Sequence, residues 1–167
     1  MTNYAAYNAW ANETLVNFIK TKPEETWVHE VPSRFNSIVK TLNHILSAQE
    51  YWYAVITRTE HTAGRYYDAN PDPGEVFASL VKHSQLLHEA ISNFSESDLL
   101  ENILVESPWF TSNAPMYEYI QHLFNHGTYH RGQIVTIGRN LNFADTPMTD
   151  YNFYTVYKSK LVLQEVH

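Results

Sequence analysis

Apolar residues recur at three- and four-residue steps over four separate stretches of the chain, the spacing that lines one face of a helix. In "YAAYNAWANETLVNFI", residues 4 to 19, the positions Tyr7, Trp10, Ala11, Leu15, Phe18 and Ile19 share such a stripe and predict a first helix. Two prolines in "KPEETWVHEVPSR" interrupt it. A second helix is predicted to start between Ser33 and Ser37, both good caps, and to run through Ile38, Leu42, Ile45, Leu46, Trp52 and Val55 to near Thr57. "RTEHTAGRYYDANPDPG" carries turn formers without a period and reads as a long crossing loop. Asp72 as N-cap, Pro73 at the first helical position and Glu75 as a capping-box acid predict a third helix, to about Asn93. "SESDLLENILVESPWFTSN" breaks the helical period, and "NILVE" within it has extended character. The fourth helix is predicted from near Pro115, after the cap candidates Ser112 and Asn113, to about Asn140. The tail from Phe143 adds one short helix behind a cap-like Thr149.

Four long amphipathic helices with little strand signal predict an all-α domain, most simply a four-helix bundle. At 167 residues the chain is long enough for one substantial core and too short to argue for two, so residues 1–167 are expected to form a single domain. The composition is globular, with an aromatic share of 14% led by 12 tyrosines. A formal net charge of −7 with 11 Lys and Arg argues against nucleic acid and anionic membranes as partners. No apolar run approaches the roughly 20 residues of a membrane span and no leader-like segment opens the chain, so a cytoplasmic protein is expected.

Absence of cysteine removes disulfides, thiolate zinc sites and cysteine nucleophiles, which leaves any metal to His, Asp, Glu or water. In "HLFNHGTYHRGQI" the residues His122, His126 and His130 recur every four positions and share one face of the fourth helix. Nine histidines would place only about half of one such pair in the chain by chance, so two overlapping pairs carry information. The alternative is a polar seam of hydrogen-bonded core histidines. His44, in the strongly apolar "TLNHILSAQEYW" of the second helix, could bring a third nitrogen and leave a coordination position open, the arrangement of a catalytic site. His29, His61, His83, His88 and His167 lie in less suitable settings.

The pairing of "SIVKTLNHILSAQEYW" with "NHGTYHRGQI" resembles the DinB family, also called DinB/YfiT-like, and the likeness extends to the "YNAWAN" opening and the "TDYNFY" tail. The resemblance implies a bundle with a long crossing between its second and third helices, a homodimer, and a divalent metal, nickel or zinc, on three histidines that match His44, His126 and His130. His122 then falls outside the triad, as a supporting or core residue. Some relatives of this fold are S-transferases of low-molecular-weight thiols such as bacillithiol, which makes a thiol transferase with a small-molecule substrate the leading expectation. A metal-dependent hydrolase, with metal-bound hydroxide attacking a small substrate, and a non-catalytic module stabilised by its metal are the alternatives.

Among the neighbouring residues, Gln133 returns to the histidine stripe and could bond a ligand or a substrate, and Tyr51, seven residues after His44, could donate a proton to a bound ligand. Gly127 stands where HExxH proteases keep their glutamate, so a built-in base is missing from the motif. Arg131 points away from the stripe and is expected to pair with a carboxylate on another helix.

Overall fold

The computed structural model describes residues 1–60, 70–108 and 110–165, with side chains through residue 159. Four long helices dominate it: α1 (Thr2–Ile19), α3 (Ile38–Thr57), α4 (Pro73–Ser92) and α6 (Met116–Asn140). Short helices α2 (Glu24–Val28) and α5 (Glu96–Leu100) follow α1 and α4. Strands β1 (Asn102–Glu106) and β2 (Thr111–Pro115) form an antiparallel hairpin before α6, and α7 (Tyr151–Glu165) closes the chain. Around the bundle the order is α1, α4, α3, α6, so the consecutive helices α1 and α3 stand on a diagonal. α3 and α4 are neighbours in that order, and residues 61–69 of the connection between them, expected as a long crossing, lie outside the described residues.

Local chemistry explains where most helices begin. Ser37 Oγ accepts the amide proton of Lys40 at 3.2 Å and starts α3, and Asp72 Oδ1 accepts that of Glu75 at 2.7 Å and starts α4. The left-handed Arg58, at φ 56°, ends α3. Two caps and two short helices, α2 and α5, differ from expectation. Ser112 and Asn113 do not cap α6, because they pair with Val105 and Leu104 in the hairpin and their backbone is extended. Asp150 rather than Thr149 caps α7, accepting the amide proton of Phe153 at 2.9 Å, and that helix runs for 15 residues. α5 was not anticipated, although its capping box of Ser95 and Asp98 is written in "SESD".

The core is divided. One large apolar cluster contains Leu15, Ile38, Leu42, Leu46, Phe77, Leu80 and Ile134; the other large one contains Trp52, Leu87, Ile91, Tyr119, Ile120 and Phe124, and a small third joins Tyr7 and Ala11 to Tyr154 of α7. On every long helix the residues between the two clusters are polar and buried: Asn8 and Asn12 on α1, Gln49 on α3, Ser84 on α4 and Arg131 on α6. They satisfy one another. Gln49 Oε1 accepts from Asn8 at 2.8 Å and Asn12 at 3.1 Å, and the Ser84 hydroxyl accepts from Asn12 and Gln49. A connected polar layer of this kind fixes the axial register of four helices, since sliding any one of them by a turn would strand buried donors.

Candidate metal centre

Arg131 belongs to this layer, and it corrects an expectation. The side chain is 2% exposed and among the described residues meets no carboxylate; its terminal nitrogens donate to Asn8 Oδ1 at 3.0 Å, Asn12 Oδ1 at 2.9 Å, Thr128 Oγ1 at 2.9 Å and the Tyr7 hydroxyl at 3.3 Å. Neutral dipoles solvate the buried cation instead of an anion. Gly127 makes room for that arrangement, because a Cβ there would lie 3.2 Å from an Arg131 nitrogen and 3.3 Å from Asn8 Oδ1. The glycine therefore answers to packing between α1 and α6, and a side chain grown from it would enter the polar layer.

On the other face of α6, the i,i+4 pair His126 and His130 meets His44 of α3. His44 Nε2 lies 3.0 Å and His130 Nε2 lies 3.1 Å from His126 Nε2, and the ligand atoms of all three fall within 4.8 Å of one another. Each imidazole nitrogen has one in-plane direction for a proton or a lone pair, so a single proton on His126 Nε2 cannot serve both neighbours. Three convergent lone pairs suit a cation. Zinc bonded to nitrogen at about 2.0–2.1 Å in a tetrahedron separates its ligand atoms by about 3.3 Å, which the His44–His126 and His126–His130 separations reach by opening a few tenths of an ångström.

The tautomer fits as well. His130 Nδ1 lies 2.8 Å from Gln133 Oε1; an amide oxygen only accepts, so Nδ1 carries the proton and Nε2 keeps the lone pair. Burial pushes the His44 pKa down to about 4, helped by His130 and Arg34, and that of His126 down to about 3, helped by His130, His44 and His122. Burial also lowers His130, against the opposing effect of its bond to Gln133. All three are neutral at pH 7, as metal ligands must be.

Phe35 covers the centre, its ring stacked on His44 at 4.2 Å and set edge-on to His130 at 5.5 Å. The loop reaches that position through the left-handed Asn36, at φ 63°, and a 2.7 Å backbone bond from Val31 to Asn36. Nothing in the sequence singles out this phenylalanine from other loop aromatics. Tyr129 flanks His130 from the opposite side at 5.0 Å.

The remaining candidates separate. His122 lies one turn outside the triad, 6.1 Å from the His126 ring and 5.1 Å from Trp52, and burial lowers its pKa. Tyr51 packs edge-on against Trp52 at 5.1 Å, and burial, with Tyr119 adding to it, raises the pKa of its phenol. Among the described residues no Asp or Glu joins the three histidines as a possible ligand.

Fold and site together define a helical bundle able to hold a divalent cation on three histidines. The DinB family model matches residues 1–159, and the chain belongs to that family. Protein DinB of Bacillus subtilis (strain 168) is 28% identical over 159 residues, which cover 89% of each chain. Among solved structures, a DinB-like protein from Bacillus cereus ATCC 10987 superposes with a TM-score of 0.68 at 17% identity, over 86% of this chain and 91% of its own. A second DinB-like protein, from Bacillus subtilis, gives 0.63 at 10% identity, over 88% and 97%. At those identities the two structures speak for the fold. Among the described residues, no helix is long and apolar enough to cross a membrane.

Proposed function

We propose that the protein is a metal-dependent enzyme in which His44, His126 and His130 hold a zinc or nickel ion, and that it joins the sulfur of a low-molecular-weight thiol, of the bacillithiol type, to a small electrophilic substrate. One observation carries the reading: three neutral imidazoles converge, with the His130 lone pair held toward His126, and among the described residues no carboxylate stands with them. A divalent ion held by these three residues would supply Lewis acidity and favour the deprotonated form of a thiol, the proton passing to solvent.

The chain's own residues do the rest. Gln133 holds His130 in the ligating tautomer, Phe35 shields the His44 ring from water, and Arg34 places a positive charge near His44 that favours an anionic ligand. A hydrolase that relies on a protein carboxylate as its base is disfavoured, since among the described residues none stands with the triad.

Native metal content by elemental mass spectrometry, followed by thiol titration of the cobalt-substituted protein, tests the proposal. A sulfur-to-cobalt charge-transfer band that appears with thiol supports it. A cobalt spectrum unmoved by thiols but moved by hydroxide would replace transferase with hydrolase. A metal inert to both, whose removal lowers the melting temperature sharply, would leave a structural role.

A further inference from the structure

A groove of about 380 Å³ runs beside the triad, between the loop before α3 and the outer face of α6. Its lining includes Ser33, Arg34, Tyr129, Gln133, Thr136 and Asn140. It touches the metal centre twice: through Gln133, whose oxygen accepts from His130, and through Tyr129, whose ring stands against His130.

Three polar groups of this groove are donors without acceptors among the described residues, while Asn140 Nδ2 and Thr136 Oγ1 donate to backbone carbonyls of α6. Gln133 spends its oxygen on His130, and no acceptor among the described residues takes the protons of its amide nitrogen. Ser33 Oγ is buried and has no hydrogen-bond partner among the described residues. The exposed Arg34 lies 5.9 Å from the centre of the Phe35 ring, and among the described residues it forms no ion pair. No Asp or Glu lines the groove. In a chain of net charge −7 that is a distinction: three other grooves on the molecule contain Glu30 and Asp72, Asp98 and Glu101, and Glu118.

We infer that this groove binds a carboxylate of the small molecule that reaches the metal centre, with Arg34 as its anchor and Ser33 and Gln133 as additional donors. The inference deepens the proposed function and rests on it for the identity of that molecule as a thiol or its electrophilic partner. Guanidinium presents parallel N–H groups that match the two oxygens of a carboxylate. The groove's single cation balances one negative charge, whereas a phosphate dianion would leave a charge uncompensated. Gln133 makes the groove and the centre one unit, because the same side chain sets the His130 tautomer with its oxygen and meets the anion with its nitrogen. Arg34 is thereby a specificity-determining residue, and the acid on the substrate is what it reads.

Metal-free protein labelled with ¹⁵N, titrated with propionate, propionamide and inorganic phosphate, tests the site itself. Propionate is expected to shift the backbone amides of Ser33, Gly132 and Gln133, with propionamide and phosphate at least about tenfold weaker, and Arg34→Gln is expected to weaken propionate about tenfold. Equal response to the amide or to phosphate, or undiminished binding in Arg34→Gln, overturns the inference. Arg34→Lys, which keeps the charge but loses the fork, should fall between the two; binding as tight as wild type would overturn the bidentate anchor. Zinc affinity measured on the same samples separates the two ideas. Zinc binding without a propionate response sinks the groove, and a propionate response without zinc binding sinks the metal reading alone.

Discussion

Gln133 Oε1 lies 2.8 Å from His130 Nδ1, one turn along the same helix, and this contact decides which nitrogen of His130 turns toward His126. Without it either tautomer of a half-turned imidazole is open, and the site loses part of its preorganisation. Gln133→Ala is expected to weaken zinc binding by about 10–100-fold, the usual effect of removing a partner that orients a ligand. Isothermal titration with zinc measures it, and an unchanged melting temperature of the metal-free variant shows that the fold is intact.

His126 stands between the other two histidines, and its Nδ1 has no hydrogen-bond partner. His126→Ala is expected to abolish stoichiometric zinc binding, while His122→Ala retains the stoichiometry, because His122 sits one turn outside the triad against Trp52. Metal content after dialysis distinguishes the two. Equal losses in both variants would mean that His122 is a ligand.

The metal-free protein is expected to lose stability on the acid side of neutrality. The folded-state pKa values of His44 and His126 are lowered to about 4 and about 3 from the ordinary 6.5, so between these values the unfolded chain binds more protons than the folded one. Their neutral burial therefore supports the fold fully above pH 6.5 and progressively less as pH falls toward 4. Melting temperatures recorded from pH 7.5 to 4.5 should decline over that window, and the decline should be smaller in a His44→Phe variant that removes one of the two groups.

Arg131 has the largest expected effect on stability. Arg131→Met would leave the oxygens of Asn8 and Asn12 buried without donors, at about 1–3 kcal/mol each. Chemical denaturation should show a loss of roughly 2–5 kcal/mol. Gly127→Ala should cost about 1–3 kcal/mol through the same layer, since its new methyl group presses on Arg131 and Asn8. Combining the two changes should cost less than their sum, because the first removes what the second collides with.

The chain's local chemistry determined the four long helices, two of their caps and the spacing of His126 and His130, because helical period and cap geometry are properties of neighbours in sequence. It also announced the extended character of "NILVE", which became β1. The pairing of His44 with His126 and His130 was legible through a family likeness, not through periodicity: α3 and α6 can slide past one another by a turn without changing any local pattern. Only packing decided that register, and it did so with the layer of Asn8, Asn12, Gln49, Ser84 and Arg131, whose donors and acceptors match at one setting. Arg131 was misread for the same reason. A buried guanidinium can be solvated by amides on another helix, and which groups wait for it depends on a contact between residues more than a hundred positions apart. Phe35 and Arg34 were placed beside the metal centre by a left-handed backbone turn at Asn36, a conformation set by how the loop closes over the finished bundle.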